Sequence, residues 1–352
     1  MSKRLNRNDR LILEHHLMEN ATMLRRLCLI FAALLLTLAA LAQAADSDTP
    51  AYTDAKQAGP DFAAQGEYTG EIKTDEGQKK FGLQLIALGK GKFRAVVFFG
   101  GLPGDGWEKG QEKKTHDGEV KDGVVVIPGD NGHIGKIKDG VLTVTDSGGN
   151  KLGELKKVER KSSTLGAKPP AGSVVLFDGK NADAFEGGKT TPDGLLEAGT
   201  KSKQSFGSFR MHLEFRTPFM PTASGQGRGN SGVFIHDCYE FQVLDSFGLE
   251  GENNECGGLY SIKEPRLNMC FPPLSWQTYD FDFTAPKFDS AGKKVANARV
   301  TLLHNGVAIY QDFELPQLTP GGRDKEGATG PLQLQNHGNP VHYRNIWIVE
   351  RK

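Results

Sequence analysis

The chain has 352 residues with 43 basic and 43 acidic side chains, so its formal net charge at pH 7 is zero. This balance provides no electrostatic footprint for nucleic acid and argues against a nucleic-acid partner. The length exceeds that of a usual single domain, and 44 glycines among many short apolar runs indicate a turn-rich, all-β protein.

The N-terminus is typical of a secretory signal. Two arginines precede a fifteen-residue apolar run, LCLIFAALLLTLAAL, and an A-x-A cleavage motif ends at Ala44. We predict a signal peptide over residues 1–44 and an exported protein, periplasmic or extracellular, that begins at Ala45. The apolar run is short for a membrane span, and because no second one follows we expect no span in the mature chain.

The next part of the chain predicts a small β-rich domain between two linkers. Residues 45–65 lack periodicity and are predicted to be a linker or a short helix. Residues 66–160 form short apolar runs broken by glycine turns, which predict an accessory domain of roughly six to eight strands. The segment 161–173 carries two adjacent prolines and small polar residues, so it is predicted to be a second linker.

Residues 174–352 again alternate in strand-sized pieces, with no convincing amphipathic helix. Strands at this spacing predict a two-sheet sandwich. The dipeptide Asn305-Gly306 lies between two apolar runs and predicts a type I′ hairpin turn, because both residues tolerate a positive φ.

Polar residues interrupt an apolar strand at YEFQVLD, residues 239–245. Strict alternation places Glu240 and Gln242 on one face, whereas Asp245 would point to the other face. One bulged residue between Gln242 and Asp245 would bring all three side chains together, where they could bind sugar hydroxyls, hold a divalent cation or transfer protons. The alternative is a solvated Glu240 and an Asp245 that caps the following turn.

A second polar cluster lies in QLQNHGNPVHYRN, residues 333–345. Gln335 is on a predicted strand, and His337 follows its end, where an imidazole suits proton transfer or metal ligation. A surface histidine is the alternative.

Tyr260 and Trp276 could offer ring faces on which a sugar stacks, although large aromatics in sandwiches mostly pack in the core. The long loop 249–274 is the candidate rim of a site.

Three cysteines follow the predicted signal peptide, namely Cys238, Cys256 and Cys270. An exported protein meets oxidising conditions, so a disulfide is one prediction, with Cys256 and Cys270 as the preferred pair because they flank one Gly- and Pro-rich loop. Three reduced thiols are the alternative.

The second region resembles the 3-keto-disaccharide hydrolase domain family, which has a concanavalin A-like lectin/glucanase jelly roll. The resemblance covers about residues 174–350 and leaves residues 66–159 outside it. Phe185 stands where this family commonly has a tryptophan. The similar stretches run in family order: VLFDGKNADAF, FRMHLEFR, GNSGVFIHDCYEFQVLDSFG, CGGLYSIKEPRLNM, SWQTYDFDFTAPKFD, ARVTLLHNGV and TGPLQLQNHGNPVHYRNIWI.

The resemblance implies cleavage of glycosidic bonds in sugars already oxidised at C3, by C2 proton abstraction, elimination and hydration. For that route we predict Glu240 as base or metal ligand and Asp245 or His337 as the second proton-transfer group. The candidate substrate-binding residues are Asn230, Gln242, Tyr260, Trp276 and Gln335. Carbohydrate is the implied partner, and a divalent cation is an open question. The alternative function is a non-catalytic carbohydrate-binding module on the same sandwich.

Some glucanases with this jelly roll carry E-x-D-x-x-E on a bulged strand, and this chain has E-x-Q-x-x-D at the same spacing. The middle carboxylate is replaced by an amide. A direct double-displacement mechanism needs a nucleophile and an acid about 5 Å apart, so the replacement argues against that mechanism.

Overall fold

The computed structural model describes residues 49–351, and Pro50–Lys352 form one compact unit. The predicted signal peptide, residues 1–44, lies outside the described residues. No helix within residues 49–351 is long and apolar enough to cross a membrane.

The segment ahead of the first strand is packed against the rest of the protein. It contains the short helix α1, Gly59–Ala64, which has a proline in its first turn. Tyr52 forms two backbone hydrogen bonds with Phe219, of 3.0 and 2.9 Å, and the ring of Phe62 packs edge-on against the same phenylalanine. The region predicted as a linker or short helix therefore includes a helix and is tied to the C-terminal half.

The first ten strands build a closed antiparallel barrel and its connections. Eight of them close the barrel in the order β1-β10-β9-β8-β7-β6-β3-β2, while β4 and β5 pair in the loop between β3 and β6. Their bounds are β1 Gly66–Thr74, β2 Gly77–Gly89, β3 Lys92–Phe99, β4 Leu102–Pro103, β5 Gly106–Trp107, β6 Lys113–Lys121, β7 Val124–Pro128, β8 Ile134–Lys138, β9 Val141–Thr145 and β10 Lys151–Val158.

One end of the barrel is filled and covered. Strand residues alternate between the interior and the surface, and Tyr68, Leu85 and Phe93 fill the interior at the end where α1 lies. The helix is fastened there because the backbone N–H of Gly91 donates to Asp61 Oδ2 at 3.0 Å. The opposite end of the barrel is open.

The C-terminal half contains fourteen further strands, of which twelve form a two-sheet sandwich while β19 and β20 pair separately. Their bounds are β11 Val174–Phe177, β12 Phe185–Glu186, β13 Leu196–Glu197, β14 Thr200–Phe206, β15 Phe209–Arg216, β16 Ser231–Ile235, β17 Tyr239–Val243, β18 Gln277–Thr284, β19 Lys287–Phe288, β20 Lys294–Ala296, β21 Arg299–His304, β22 Val307–Glu314, β23 Gly330–Leu334 and β24 His342–Glu350.

The chain crosses repeatedly between the two sheets. The seven-stranded sheet has the order β11-β24-β15-β18-β21-β22, with β13 paired to β24, and the five-stranded sheet has the order β12-β14-β23-β16-β17. Consecutive strands such as β15 and β16 belong to different sheets, as expected of a jelly roll. The all-β prediction is confirmed. The predicted hairpin is confirmed as well, because Asn305 and Gly306 have φ values of 52° and 82° between β21 and β22.

The barrel and the sandwich share one apolar core. Ile86, Val96 and Phe98 on the barrel's outer surface belong to the same buried cluster as the core of the sandwich. Trp107 joins them, and its ring centroid lies 4.9 Å from that of Phe98. The shared cluster explains why the structure forms a single compact unit.

Polar contacts reinforce this junction along the loop 249–274. Lys113 of the barrel pairs with Glu250 at 2.6 Å, and Arg266 pairs with Glu108 of the barrel at 2.6 Å. The guanidinium of Arg160 lies 5.2 Å from the ring centroid of Phe271. The loop is thus held by the barrel from both of its ends.

The predicted linker 161–173 lies on the outer face of the seven-stranded sheet. The Thr164 hydroxyl donates to Asp280 Oδ2 at 2.6 Å, and the backbone N–H of Gly166 donates to Glu214 Oε1 at 2.6 Å. Glu214 is buried on that face, so this part of the segment covers a buried carboxylate instead of spanning free solvent.

All three described cysteines, Cys238, Cys256 and Cys270, are buried free thiols, so the preferred Cys256–Cys270 disulfide is not formed. The thiol of Cys256 contacts the hydroxyl of Tyr279 at 3.3 Å, in the core beneath β17. Burial raises the pKa of Cys238 to about 11, which disfavours its reactive thiolate.

Candidate functional site

The strand β17 places two polar side chains on the outer face of the five-stranded sheet. Tyr239, Phe241 and Val243 point into the core, so Glu240 and Gln242 point away from it. On the neighbouring strand β16, Phe234 is opposite Glu240 and Gly232 is opposite Gln242.

The predicted bulge between Gln242 and Asp245 is wrong. Pairing of β17 with β16 is regular through Val243, and Asp245 follows the end of the strand. The carboxylate of Asp245 is buried and accepts a hydrogen bond from Arg228 Nε at 2.7 Å. It also accepts a weak bond of 3.4 Å from the backbone N–H of Phe247, as expected of a residue that caps a turn. Asp245 is therefore a structural ion-pair partner and does not join Glu240.

The carboxyl group of Glu240 is buried and has no partner. The residue is 3% exposed, and within residues 49–351 its side chain forms no hydrogen bond or ion pair. Loss of water around the carboxylate, with no compensating charge, raises the pKa of Glu240 to about 8. A titratable side chain with this pKa suits proton transfer near neutral pH.

Gly232 makes room for this carboxyl group. A Cβ atom on Gly232 would lie 2.3 Å from Glu240 Oε1, so the carboxyl group lies over the bare backbone of the neighbouring strand. Gly232 was not among the residues predicted from the sequence. A glycine inside a strand is a known sign of such close approach and could have indicated it.

Two further predicted residues, Gln242 and Asn230, meet beside this point. Both are bonded to Gln226, a residue the sequence analysis missed: Gln242 Nε2 donates to Gln226 Oε1 at 2.9 Å, and Asn230 Nδ2 donates to the Gln226 carbonyl at 2.8 Å. Asn230 Oδ1 is buried and accepts no hydrogen bond within the described chain. It is thus an available acceptor.

Gln335 approaches Gly232 from the other side. Its backbone N–H donates to the Gly232 carbonyl at 2.8 Å, which continues the pairing of β23 with β16. Its Oε1 is buried and has no hydrogen-bond partner among residues 49–351. Buried amide oxygens without partners are rare, so Gln335 and Asn230 offer two places where a ligand hydroxyl could donate.

Tyr260 lies beside Glu240. Leu259 bridges to Phe241, and the backbone N–H of Tyr260 donates to the Glu240 carbonyl at 3.0 Å, so the loop adds a short strand to the free edge of β17. Residues opposite each other across such a pair share a face, which puts the half-exposed Tyr260 next to Glu240.

Trp276 is not part of this cluster. It lies next to β18 of the other sheet, with its ring 5.0 Å from the guanidinium of Arg216 and 3.8 Å from that of Arg344. These arginines are on the outer face of the seven-stranded sheet, so the core of the sandwich separates Trp276 from Glu240. The substrate-binding prediction for Trp276 is wrong for this site.

His337 lies in the exposed loop after β23. Within residues 49–351 it forms no hydrogen bond or ion pair, and no contact joins it to Glu240. Its role in proton transfer stays a prediction.

A groove of about 440 Å³ continues this face across β23 and β14. Lys201, Gln333 and Gln335 contribute to its lining, and Lys201 Nζ pairs with Asp237 at 2.7 Å. Gln335 links the groove to the Glu240 cluster, and the groove is large enough for a small ligand. Lys201 is a third residue, after Gly232 and Gln226, that was not predicted from the sequence.

The donor set does not favour a metal at this point. Within residues 49–351 no group of three or more His, Cys, Asp or Glu side chains is arranged to hold a metal ion. Glu240 is the only carboxylate in its cluster, and hard divalent cations prefer several oxygen ligands that include carboxylates.

Part of the chain matches a family of known proteins. Residues 172–349 match the family model of the 3-keto-alpha-glucoside-1,2-lyase-like domain. No curated protein matches the chain. A crystal structure named "putative glycosyl hydrolase", from Parabacteroides distasonis ATCC 8503, is 34% identical over 52% of this chain and 85% of its own, with a TM-score of 0.47. A second so-named structure from that organism is 18% identical over 51% of this chain and 94% of its own, with a TM-score of 0.39.

Proposed function

Because the chain belongs to the 3-keto-alpha-glucoside-1,2-lyase-like domain family, we propose that it cleaves the glycosidic bond of 3-keto-glycosides with Glu240 as the base. Membership of this family indicates a glycan-active, hydrolase-like enzyme. The observation that carries the finer proposal is the Glu240 carboxyl group, which is buried, unpaired and has a pKa of about 8.

A carbonyl at C3 makes the hydrogen on C2 acidic. In the proposed reaction Glu240 takes that proton, and the electron pair of the C2–H bond forms an enolate with the C3 oxygen. The enolate then expels the C1 substituent, which leaves as an alcohol after gaining a proton. Water adds across the resulting double bond, with its hydroxyl at C1 and its hydrogen at C2, to give the free 3-keto sugar.

The neighbouring amides are proposed to hold the sugar. Gln335 can present an amide N–H to the developing enolate oxygen, and a donor aimed at a growing charge is the usual way to stabilise it. The unpaired oxygens of Asn230 and Gln335 can accept sugar hydroxyls. Gln242 has its amide bonded to Gln226 and therefore sets the shape of the cluster.

The leaving alcohol needs a proton donor. With Asp245 paired to Arg228, His337 remains the proposed donor. The second candidate is the hydroxyl of Tyr260, a residue whose backbone pairs with that of Glu240. Turnover rates of His337→Gln and Tyr260→Phe distinguish the two candidates. Loss of the true proton donor should slow substrates with poor leaving groups more than substrates with good leaving groups, whereas loss of the other residue should not.

We also propose that the protein acts outside the inner membrane.

Deuterium exchange tests the proposed base directly. In D₂O the wild type should place deuterium at C2 of a 3-keto-α-glucoside, observed by NMR, and should release the C1 alcohol. In Glu240→Gln the rate of deuterium incorporation and the rate of alcohol release should both fall by at least ~10²-fold, because general base catalysis typically contributes 10²–10⁴-fold. Glu71→Gln, an exposed carboxylate on the barrel, is the matched control and should behave as wild type.

A second readout distinguishes catalysis from binding alone. A carbohydrate-binding module would bind the glycoside in calorimetry without any exchange at C2 in either variant. Exchange that persists in Glu240→Gln would remove Glu240 as the base while leaving the family assignment intact.

A further inference from the structure

The open half of the barrel contains a cavity of about 530 Å³. This volume lies within the roughly 300–1,000 Å³ typical of small-molecule sites. An eight-stranded barrel is just wide enough to be filled by its own side chains or to hold one small ligand. This barrel is filled at the α1 end and empty at the other end.

The cavity wall formed by β6 and β8 carries no large apolar side chain. Lys114 and His116 on β6 line the cavity, and Gly135 on β8 lines it as well, whereas Gly118, farther along β6, does not. A Cβ on Gly118 would lie 2.8 Å from Ile127 Cγ1, so Ile127 fills part of the space.

The other walls of the cavity are mostly apolar. Phe81 and Phe99 lie in them with ring centroids 5.0 Å apart, and Val97, Val144 and Leu152 are only partly buried although they face the barrel interior. Partly hydrated apolar side chains in a concave site favour an apolar occupant, because its entry removes their surface from water.

The mouth carries hydrogen-bonding groups without partners. His116 and His133 line the cavity, and within the described chain neither imidazole forms a side-chain hydrogen bond. A neutral imidazole has one donor and one acceptor nitrogen, so each ring could bind a hydroxyl or a carbonyl group.

The charges at the mouth do not attract an anion. Asp130 is paired with Lys114 at 2.8 Å, and Asp146 accepts from Asn150 Nδ2 at 3.0 Å. The other charged residues of the lining are Lys73 and Asp75. Two lysines thus face three aspartates, which gives no excess of positive charge for a carboxylate head.

We propose that the barrel binds a small uncharged molecule with an apolar body and a hydroxyl or carbonyl head. The body lies against Phe81 and Phe99, and the head bonds to His116 and His133. This site is separate from Glu240 and does not depend on the function proposed there.

Calorimetric titration of the full chain tests this proposal with three probes. One molecule of 2-naphthol or of 1-decanol per chain should bind. Whichever alcohol binds with the higher affinity indicates whether the apolar body of the ligand is aromatic or alkyl. 2-Naphthoate has the same body as 2-naphthol with a charged head and should bind at least tenfold more weakly. No binding of either alcohol, or tighter binding of 2-naphthoate, overturns the proposal.

Matched variants locate the bound probe. Val144→Trp should fill the cavity and weaken binding at least tenfold, whereas Val124→Trp, on the outer face of β7, should bind as wild type. Thermal melts report whether both are folded. If Val144→Trp does not fold, His116→Ala/His133→Ala decides the question, since it should weaken 2-naphthol binding about tenfold. Binding unchanged in the histidine variant, or lost equally in Val124→Trp, overturns the proposal.

Discussion

Glu240 suits the proposed function but lowers the stability of the fold. Its carboxyl group is buried without a partner, which is costly for the ionised form. Active sites commonly keep such groups at a cost to stability. The cost depends on pH, because only the ionised form is disfavoured by burial.

Glu240→Gln should therefore stabilise the protein as it inactivates it. The folded pKa of about 8 is above the unfolded value of 4.5, so between these pH values the unfolded chain releases a proton that the folded chain keeps. The wild type loses stability as pH rises through this window. The advantage of Glu240→Gln should be near zero at pH 4 and reach about 3 kcal/mol at pH 7. Urea denaturation at both pH values measures it.

Glu71→Gln is again the control, and its stability should follow the wild type at both pH values. A Glu240→Gln variant that is less stable than wild type at pH 7 would show that the carboxyl group has a favourable partner in solution.

Titration of Glu240 should also set the pH dependence of turnover. A base must be ionised to act, so kcat/KM for a 3-keto-glycoside should rise about tenfold per pH unit below pH 7 and level off above about pH 8. Rates measured from pH 5.5 to 9 check this. A profile that falls across pH 8 would assign Glu240 as an acid instead.

The turn after β17 depends on a buried ion pair. Arg228 and Asp245 are both buried, and Arg228→Met would leave the Asp245 carboxylate uncompensated. We expect a loss of about 3–5 kcal/mol in the free energy of unfolding, measured by urea denaturation. The double variant Arg228→Met/Asp245→Asn should lose less, because no charge then remains buried. Equal losses in the two variants would contradict the ion-pair explanation.

The elements of the sandwich could be predicted from sequence because alternation is a local property. The face of Glu240 and Gln242 and the hairpin at Asn305 follow from it directly. The partner of a side chain is not local. Arg228 lies seventeen residues before Asp245, and nothing in the strand pattern indicated that the two would pair.

The same limit explains the errors on Trp276 and on the missed residue Gln226. Alternation gives the face of a strand, but it does not tell which of two sheets the strand joins, and that decided the place of Trp276. Gln226 lies in a glycine-rich loop without periodicity, so its contacts with Gln242 and Asn230 depend on the folded loop.

On the scale of the whole molecule, the shared core predicts that barrel and sandwich unfold together. Differential scanning calorimetry should show one transition. Trp107→Ala should cost about 3–5 kcal/mol and shift that single transition as a whole. Val120→Ala, at an exposed barrel position, is the control and should change stability by less than about 0.5 kcal/mol. Two separate transitions in the wild type would contradict a shared core.

The loop 249–274 is fixed to the barrel on one side and to the edge of β17 on the other. Many enzymes close such a loop over the bound substrate, and its reopening then limits the rate of turnover. Because the loop 249–274 is anchored on both sides, we expect it to stay in place during turnover. For the proposed substrate we therefore expect entry and exit by diffusion across the open face of the five-stranded sheet, with the barrel holding one side of that path in place without touching the sugar.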